Sequence, residues 1–165
     1  MGGIGLWIVQ LDKFLPTTSH KDRTRKRSLN LPDKISAVGA RVLIVDDAED
    51  TREMYAMFLR LEGFQIAVAG DGLTGLTFAQ QHRPDIIVLD LMMPRMDGFE
   101  VMRRLRADDR TKAIPIIAFS GMGATRDAAN AIAAGADTFC AKPCPPETLL
   151  EMITRLLRLR GDSAA

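Results

Sequence analysis

The chain has 165 residues, room for one domain of ordinary size and a short extension. Apolar residues make up 47% and charged residues 26%, a profile that excludes fibrous, low-complexity and membrane-spanning classes and suits a soluble globular protein. The formal net charge of +1 is unevenly placed: residues 1–40 carry seven Lys/Arg against three Asp, leaving fifteen basic and eighteen acidic side chains in the remainder.

Residues 1–40 keep no helical or strand period. The run Lys21-Asp22-Arg23-Thr24-Arg25-Lys26-Arg27, with Pro32 soon after, reads as a solvated, disordered basic arm. The apolar stretch Ile4–Val9 is far too short to cross a bilayer. It also lacks the cleavage-site pattern of a secretory leader, so a cytoplasmic protein without membrane contact is expected. The segment Gly3-Ile4-Gly5-Leu6-Trp7-Ile8-Val9 faintly resembles a glycine box of histidine-kinase ATP domains. Nothing else of such a domain accompanies it, so no ATP site is expected there.

From Arg41 the pattern changes. Short apolar runs at Val42–Val45, Gln65–Ala69, Ile86–Leu89, Ile114–Phe119 and Thr138–Ala141 alternate with segments of helical spacing. The first, third and fourth runs are continuously apolar, as central parallel strands covered on both faces must be. The second alternates, which suits an edge. Met54, Met57, Phe58 and Leu61 recur at helical intervals before Gly63, predicting a helix that buries that stripe. Leu149, Met152, Ile153 and Leu156 repeat the spacing in a last helix, begun by Pro145-Pro146 and finished by Arg155, Arg158 and Arg160. Met102 and Met152 are expected as core filler, along with Met54 and Met57. Five such units predict a doubly wound parallel sheet over residues 41–160, with 161–165 as a short tail. Cys140 and Cys144 have neither a second pair nor a neighbouring His, so zinc is not expected. Reduced, packed thiols are, in keeping with a reducing compartment.

In a sheet of this kind ligands bind beyond the carboxyl ends of the strands. The first strand runs into Asp46-Asp47, the third into Asp90, the fourth into Ser120, and the fifth leads to Lys142. A single Asp after a strand is commonly a helix cap, and Glu49 or Asp50 is placed to cap the first helix. Three carboxylates converging on one rim repel one another. At an effective dielectric near 20, two unit charges ~4 Å apart cost roughly 4 kcal/mol. A cation or shared protons must offset this, and hard oxygen donors favour Mg²⁺.

Val45-Asp46-Asp47, Asp90-Leu91-Met92-Met93-Pro94-Arg95-Met96-Asp97-Gly98, Ser120-Gly121 and Lys142-Pro143, in this order and at these intervals, resemble the signature of response-regulator receiver domains of two-component signalling. The resemblance covers about residues 40–160. It implies a flavodoxin-like α/β fold with a five-stranded parallel sheet in the order 2-1-3-4-5 and five helices. It further implies that Asp90 is the phosphoacceptor. Asp47, Asp90 and the backbone carbonyl of Met92 would ligate Mg²⁺, with Asp46 holding a metal-bound water. Lys142 would pair with a phosphoryl oxygen, Pro143 would occupy the family's lysine–proline step, and Ser120 and Phe139 would form the switch. Met92 and Met122 stand where dephosphorylation rates vary within the family. Their apolar side chains suggest a long-lived phosphoryl group. In the loop after Asp90, Pro94 blocks helix continuation and Asp97 caps the next helix.

The function expected is therefore a regulatory phosphoacceptor rather than an enzyme, fed by a histidine kinase or phosphotransfer protein. After Lys142 the sequence has room for one helix only, so output is expected through a protein partner, through onward phosphoryl transfer or through a phosphorylation-dependent homodimer. Two rivals remain. An aspartyl-nucleophile phosphatase needs a D-x-D pattern that Asp46-Asp47-Ala48 does not supply. Nucleic-acid binding would rest on the basic arm alone, and most such runs are simply solvated.

Overall fold

The computed structural model describes residues 39–121 and 124–163, and the basic arm, the Gly3–Val9 segment and Met122 lie outside them. Strands and helices alternate: β1 (Arg41–Val45), α1 (Glu49–Leu61), β2 (Gln65–Ala69), α2 (Gly72–His82), β3 (Ile86–Asp90), α3 (Gly98–Ala107), β4 (Ile116–Ser120), α4 (Ala124–Ala134), β5 (Thr138–Ala141) and α5 (Pro146–Ser163). The five strands form one sheet in the order β2-β1-β3-β4-β5, every pair parallel. This is the expected fold. α5 continues through Gly161 to Ser163, past the expected boundary at 160, and β4 begins at Ile116 rather than Ile114. Among the described residues no helix is long and apolar enough to cross a membrane.

The two-residue period of the strands sorts their side chains into two cores. Leu43, Val45, Ile87, Leu89, Ile116 and Ala118 face one way and pack with Leu76, Val101, Met102, Leu105 and Ala131 of α2, α3 and α4. Val42, Ile44, Ile86, Val88, Ile117 and Phe119 face the other way and meet Tyr55, Leu59, Leu149 and Ile153 of α1 and α5. β1, β3 and β4 are thus covered on both faces, which is why their sequences are unbroken apolar runs.

Two expectations are corrected. On α1 the stripe Met54, Met57 and Leu61 points to solvent, 43%, 63% and 82% exposed, while Tyr55, Ala56 and Leu59 are buried and Phe58 half-buried. Residues 54–59 are all apolar, so helical spacing alone leaves the phase of the buried stripe undetermined, and contact with the sheet selects it. Cys140 and Cys144, expected as separate thiols, are joined in a disulfide with their Cα atoms 6.3 Å apart. The chain turns back after β5, and that turn brings both sulfurs to the α1–α5 side of the sheet.

Candidate functional site

Because the strands are parallel, their carboxyl ends share one rim. β1 and β3 are neighbours although β2 separates them in sequence, so the order of connection reverses between them. A crevice opens at such a reversal. Asp46 and Asp47 follow β1 on one side of it, Asp90 ends β3 on the other, Ser120 ends β4, and Lys142 directly follows β5.

Asp46 and Asp90 are held in the same way. Oδ1 of each accepts the backbone amide two residues on, Ala48 N at 2.9 Å and Met92 N at 2.9 Å. These local turns fix the carboxylates before any ligand arrives. Oδ2 of each accepts Lys142 Nζ, at 2.7 Å for Asp46 and 2.8 Å for Asp90. Both carboxylates are buried while Asp47 is exposed, and carboxylate oxygens of all three lie within 4.8 Å of one another. Burial disfavours the Lys142 ammonium, but its bonds to Asp46 and Asp90 and their negative charge outweigh burial and raise its pKa above the usual lysine value. Lys142 is therefore a fixed cation at neutral pH. One ammonium against three clustered carboxylates leaves a surplus of negative charge on hard oxygen donors, a set that fits a small divalent cation.

The backbone locks the rim together. Leu91 N donates to Phe119 O at 2.8 Å and Lys142 N donates to Ser120 O at 2.7 Å, joining the ends of β3, β4 and β5. The Lys142–Pro143 peptide is cis. Asp97 caps α3, accepting Glu100 N at 2.8 Å as expected. The next residue must be glycine: a β-carbon on Gly98 would strike the carbonyl oxygen of Asp90 and lie 2.8 Å from Leu91 Cα. The Met-Asp-Gly sequence thus lets α3 start directly against the residue that carries the central carboxylate. At the start of α1 the expected capping carboxylates do not cap. Ala48 holds the cap position without a side-chain bond, and Glu49 and Asp50 lie in the first turn.

The remaining expected residues are near but not gathered round the carboxylates. Ser120 is buried, and its hydroxyl donates to Asp127 Oδ2 on α4 at 2.9 Å. Phe139 pairs with Ala118 across β4 and β5 and packs, half-buried, against the core under α2, α3 and α4. Met92 is 60% exposed.

Three residues at the rim were not legible in the sequence. Arg52 Nη1 donates to the Asp46 carbonyl at 2.7 Å, bracing the Asp46–Asp47 turn. Tyr55 donates to the Cys144 carbonyl at 2.7 Å, and its ring meets Phe119 edge-on at 5.4 Å. Asp127 reads in sequence only as an acidic residue in a helix's first turn. Arg52 and Tyr55 belong to the α1 stripe whose phase the sequence left open.

A family model described as the response regulator receiver domain matches residues 42–154. The chain is 38% identical over 118 residues to the DNA-binding dual master transcriptional regulator RpaA of Synechocystis, covering 72% of this chain and 49% of that protein. It is 40% identical over 125 residues to the DNA-binding response regulator MtrA of Mycobacterium tuberculosis, covering 76% and 54% respectively. The chain thus spans about half the length of these curated relatives. Among solved structures, the chemotaxis protein CheY4 of Vibrio cholerae superposes with a TM-score of 0.67 at 35% identity, over 72% of this chain and 98% of that one. The receiver domain of the sensor histidine kinase PA1611 of Pseudomonas aeruginosa, solved with a magnesium ion coordinated in its active-site cleft, gives 0.68 at 28% identity, over 73% and 98%.

Proposed function

The chain belongs to the response regulator receiver domain family, and from that premise we propose that Asp90 accepts a phosphoryl group from a histidine kinase or phosphotransfer protein, with Mg²⁺ bound at the rim. The observation that carries this reading is the pair of bonds from Lys142 Nζ to the buried carboxylates of Asp46 and Asp90. They put a cation beside one oxygen of the Asp90 carboxylate while the Met92 amide holds the other, at the rim where hard donors cluster among the described residues.

In this reading Asp47, Asp90 and the Met92 carbonyl would hold Mg²⁺, with Asp46 beside them to accept from a water. Bound there, the ion would supply neutralisation of the charge that builds on the phosphoryl oxygens during transfer. The residues of the chain do the rest. Asp90 attacks phosphorus through the carboxylate oxygen that Lys142 now occupies, forming an aspartyl phosphate as the bond from phosphorus to the donor breaks and the donor departs with that electron pair. Lys142 keeps its charge and passes from the carboxylate to a phosphoryl oxygen, a short shift for a flexible stem. Ser120 exchanges its bond to Asp127 for one to the phosphoryl group, and Phe139 moves toward the space behind it. The surface formed by α4, β5 and α5 then differs between the two states and is read by a protein partner or a second copy. The protein's role is regulatory, and the reaction is a single modification of itself.

Incubation with a small acyl phosphate and Mg²⁺, followed by intact mass measurement, tests the reading. One phosphoryl group is expected on the wild type, and none on Asp90→Asn or after chelation. Labelling that survives Asp90→Asn would move the acceptor elsewhere.

A further inference from the structure

We propose that Cys140 and Cys144 are a redox modification site, exchanging with low-molecular-weight disulfides and thiols, whose state sets how firmly Lys142 is held at the rim. The consequence for phosphorylation rests on the reading of Asp90 given above.

The two cysteines bracket the Lys142–Pro143 step, and Lys142 is the middle residue of the five-residue loop that their bond closes. Four extended peptide units would span roughly 13 Å. The disulfide holds the ends of this segment at 6.3 Å. The same loop delivers the ammonium that bonds Asp46 and Asp90, so a covalent cross-link and the chemistry-bearing cation share one short turn. Ala141, Pro143 and Pro145 are exposed, so the turn lies at the surface and a small reagent needs only a local opening to reach the sulfurs.

Two contacts hold the turn by groups other than the cross-link. Lys142 N donates to Ser120 O at 2.7 Å, and Tyr55 holds the Cys144 carbonyl at 2.7 Å. Two thiols are small apolar groups that the surrounding Phe119, Leu149 and Ile153 can accommodate. Reduction therefore loosens the turn without unfolding it. The cross-link removes conformations from the loop, so the oxidised form presents Lys142 preorganised and the reduced form must order it on each encounter.

The chemistry balances by exchange. The thiolate of one cysteine attacks a sulfur of the small disulfide, forming a mixed disulfide and expelling one small thiol. The second cysteine, as thiolate, attacks the sulfur of the first and expels the other small thiol. The protein gives up two protons and two electrons, and the electrons reside in the two small thiols released. A dithiol reductant reverses both steps.

The full chain is equilibrated in glutathione buffers from fully reduced to fully oxidised, and alkylation in denaturant with intact mass counts the thiols. Two alkylations are expected at the reducing end and none at the oxidising end. Amide hydrogen exchange over residues 139–146, measured without any phosphodonor, should be slower in the oxidised form. Initial labelling by acetyl phosphate with Mg²⁺ should be about five-fold faster in the oxidised form. The double variant Cys140→Ala/Cys144→Ala should label at the slow rate in both buffers. Thiols that stay reduced throughout, or loop exchange and labelling that are equal in the two forms, would overturn the proposal. Loop exchange that follows the redox state in a protein never labelled would support the redox site and sink the Asp90 reading instead.

Discussion

The hydroxyl of Ser120, the last residue of β4, donates to Oδ2 of Asp127 in the first turn of α4 at 2.9 Å. A hydroxyl that is to serve a group on Asp90 must first leave this acceptor. Asp127 thus ties the hydroxyl of the proposed switch residue to the helix that follows it.

Asp127→Ala removes that competing acceptor. A net hydrogen bond contributes about 1 kcal/mol, or about five-fold in an equilibrium. Labelling of Asp90 by acyl phosphate should accordingly become a few-fold faster in Asp127→Ala and slower in Ser120→Ala. The double variant should behave like Ser120→Ala, because the aspartate acts only through the hydroxyl. Unchanged rates in Asp127→Ala would mean the contact is structural.

Lys142→Met leaves three carboxylates clustered without their ammonium. Removing one member of a largely buried ion pair costs several kcal/mol, and with Asp47 and part of Lys142 in solvent a loss of about 2 kcal/mol is expected in chelator. Mg²⁺ should restore more stability to the variant than it adds to the wild type, as read by urea unfolding with and without the ion. The pKa of Lys142 is raised, so its contribution is full below the ordinary lysine value of 10.5 and fades as pH climbs through the higher folded value. The two unfolding curves should converge only in strong alkali.

Asp71 caps α2, accepting Thr74 N at 2.8 Å and Thr74 Oγ1 at 2.9 Å. The Thr74 amide and then its hydroxyl hold the carboxyl below its ordinary value of 3.8. A depressed carboxyl pKa stabilises the fold above the unfolded value and loses that contribution as pH falls through the folded one. Asp71→Ala should cost about 1 kcal/mol at neutral pH, and the gap from wild type should narrow below the ordinary carboxyl pKa. A gap that stays constant into acid would rule out the charged cap.

The face that α1 buries gives a direct contrast. Leu59→Ala removes a fully buried side chain and should cost about 2–5 kcal/mol. Met57→Gln alters a side chain in solvent and should change stability by less than about 0.5 kcal/mol. Equal losses in chemical unfolding would put the helix in the other phase.

How much of the fold and the site is legible in the sequence depends on how local the deciding interaction is. Unbroken apolar runs marked β1, β3 and β4 because a strand covered on both faces cannot alternate. Acidic, hydroxyl and basic residues just after such runs were legible as rim groups because parallel strands send all their carboxyl ends the same way. Asp97 was legible as a cap because its partner lies three residues away. The phase of α1 was not, since six consecutive apolar residues satisfy more than one stripe and only the sheet distinguishes them.

By itself, then, the sequence determined five βα units, the chemical kinds at each strand end and the helix stops, all properties of short segments and their spacing. The tertiary structure decided which of those groups touch: Lys142 with Asp46, 96 residues away, Tyr55 with the Cys144 carbonyl, 89 residues away, and Ser120 with Asp127, 7 residues on. It also brought Cys140 and Cys144 within bonding reach, against the expectation of free thiols. The physical reason is that spacing fixes which face a residue occupies within its own element, whereas contacts between elements depend on how the sheet orders them and how each helix is turned upon it.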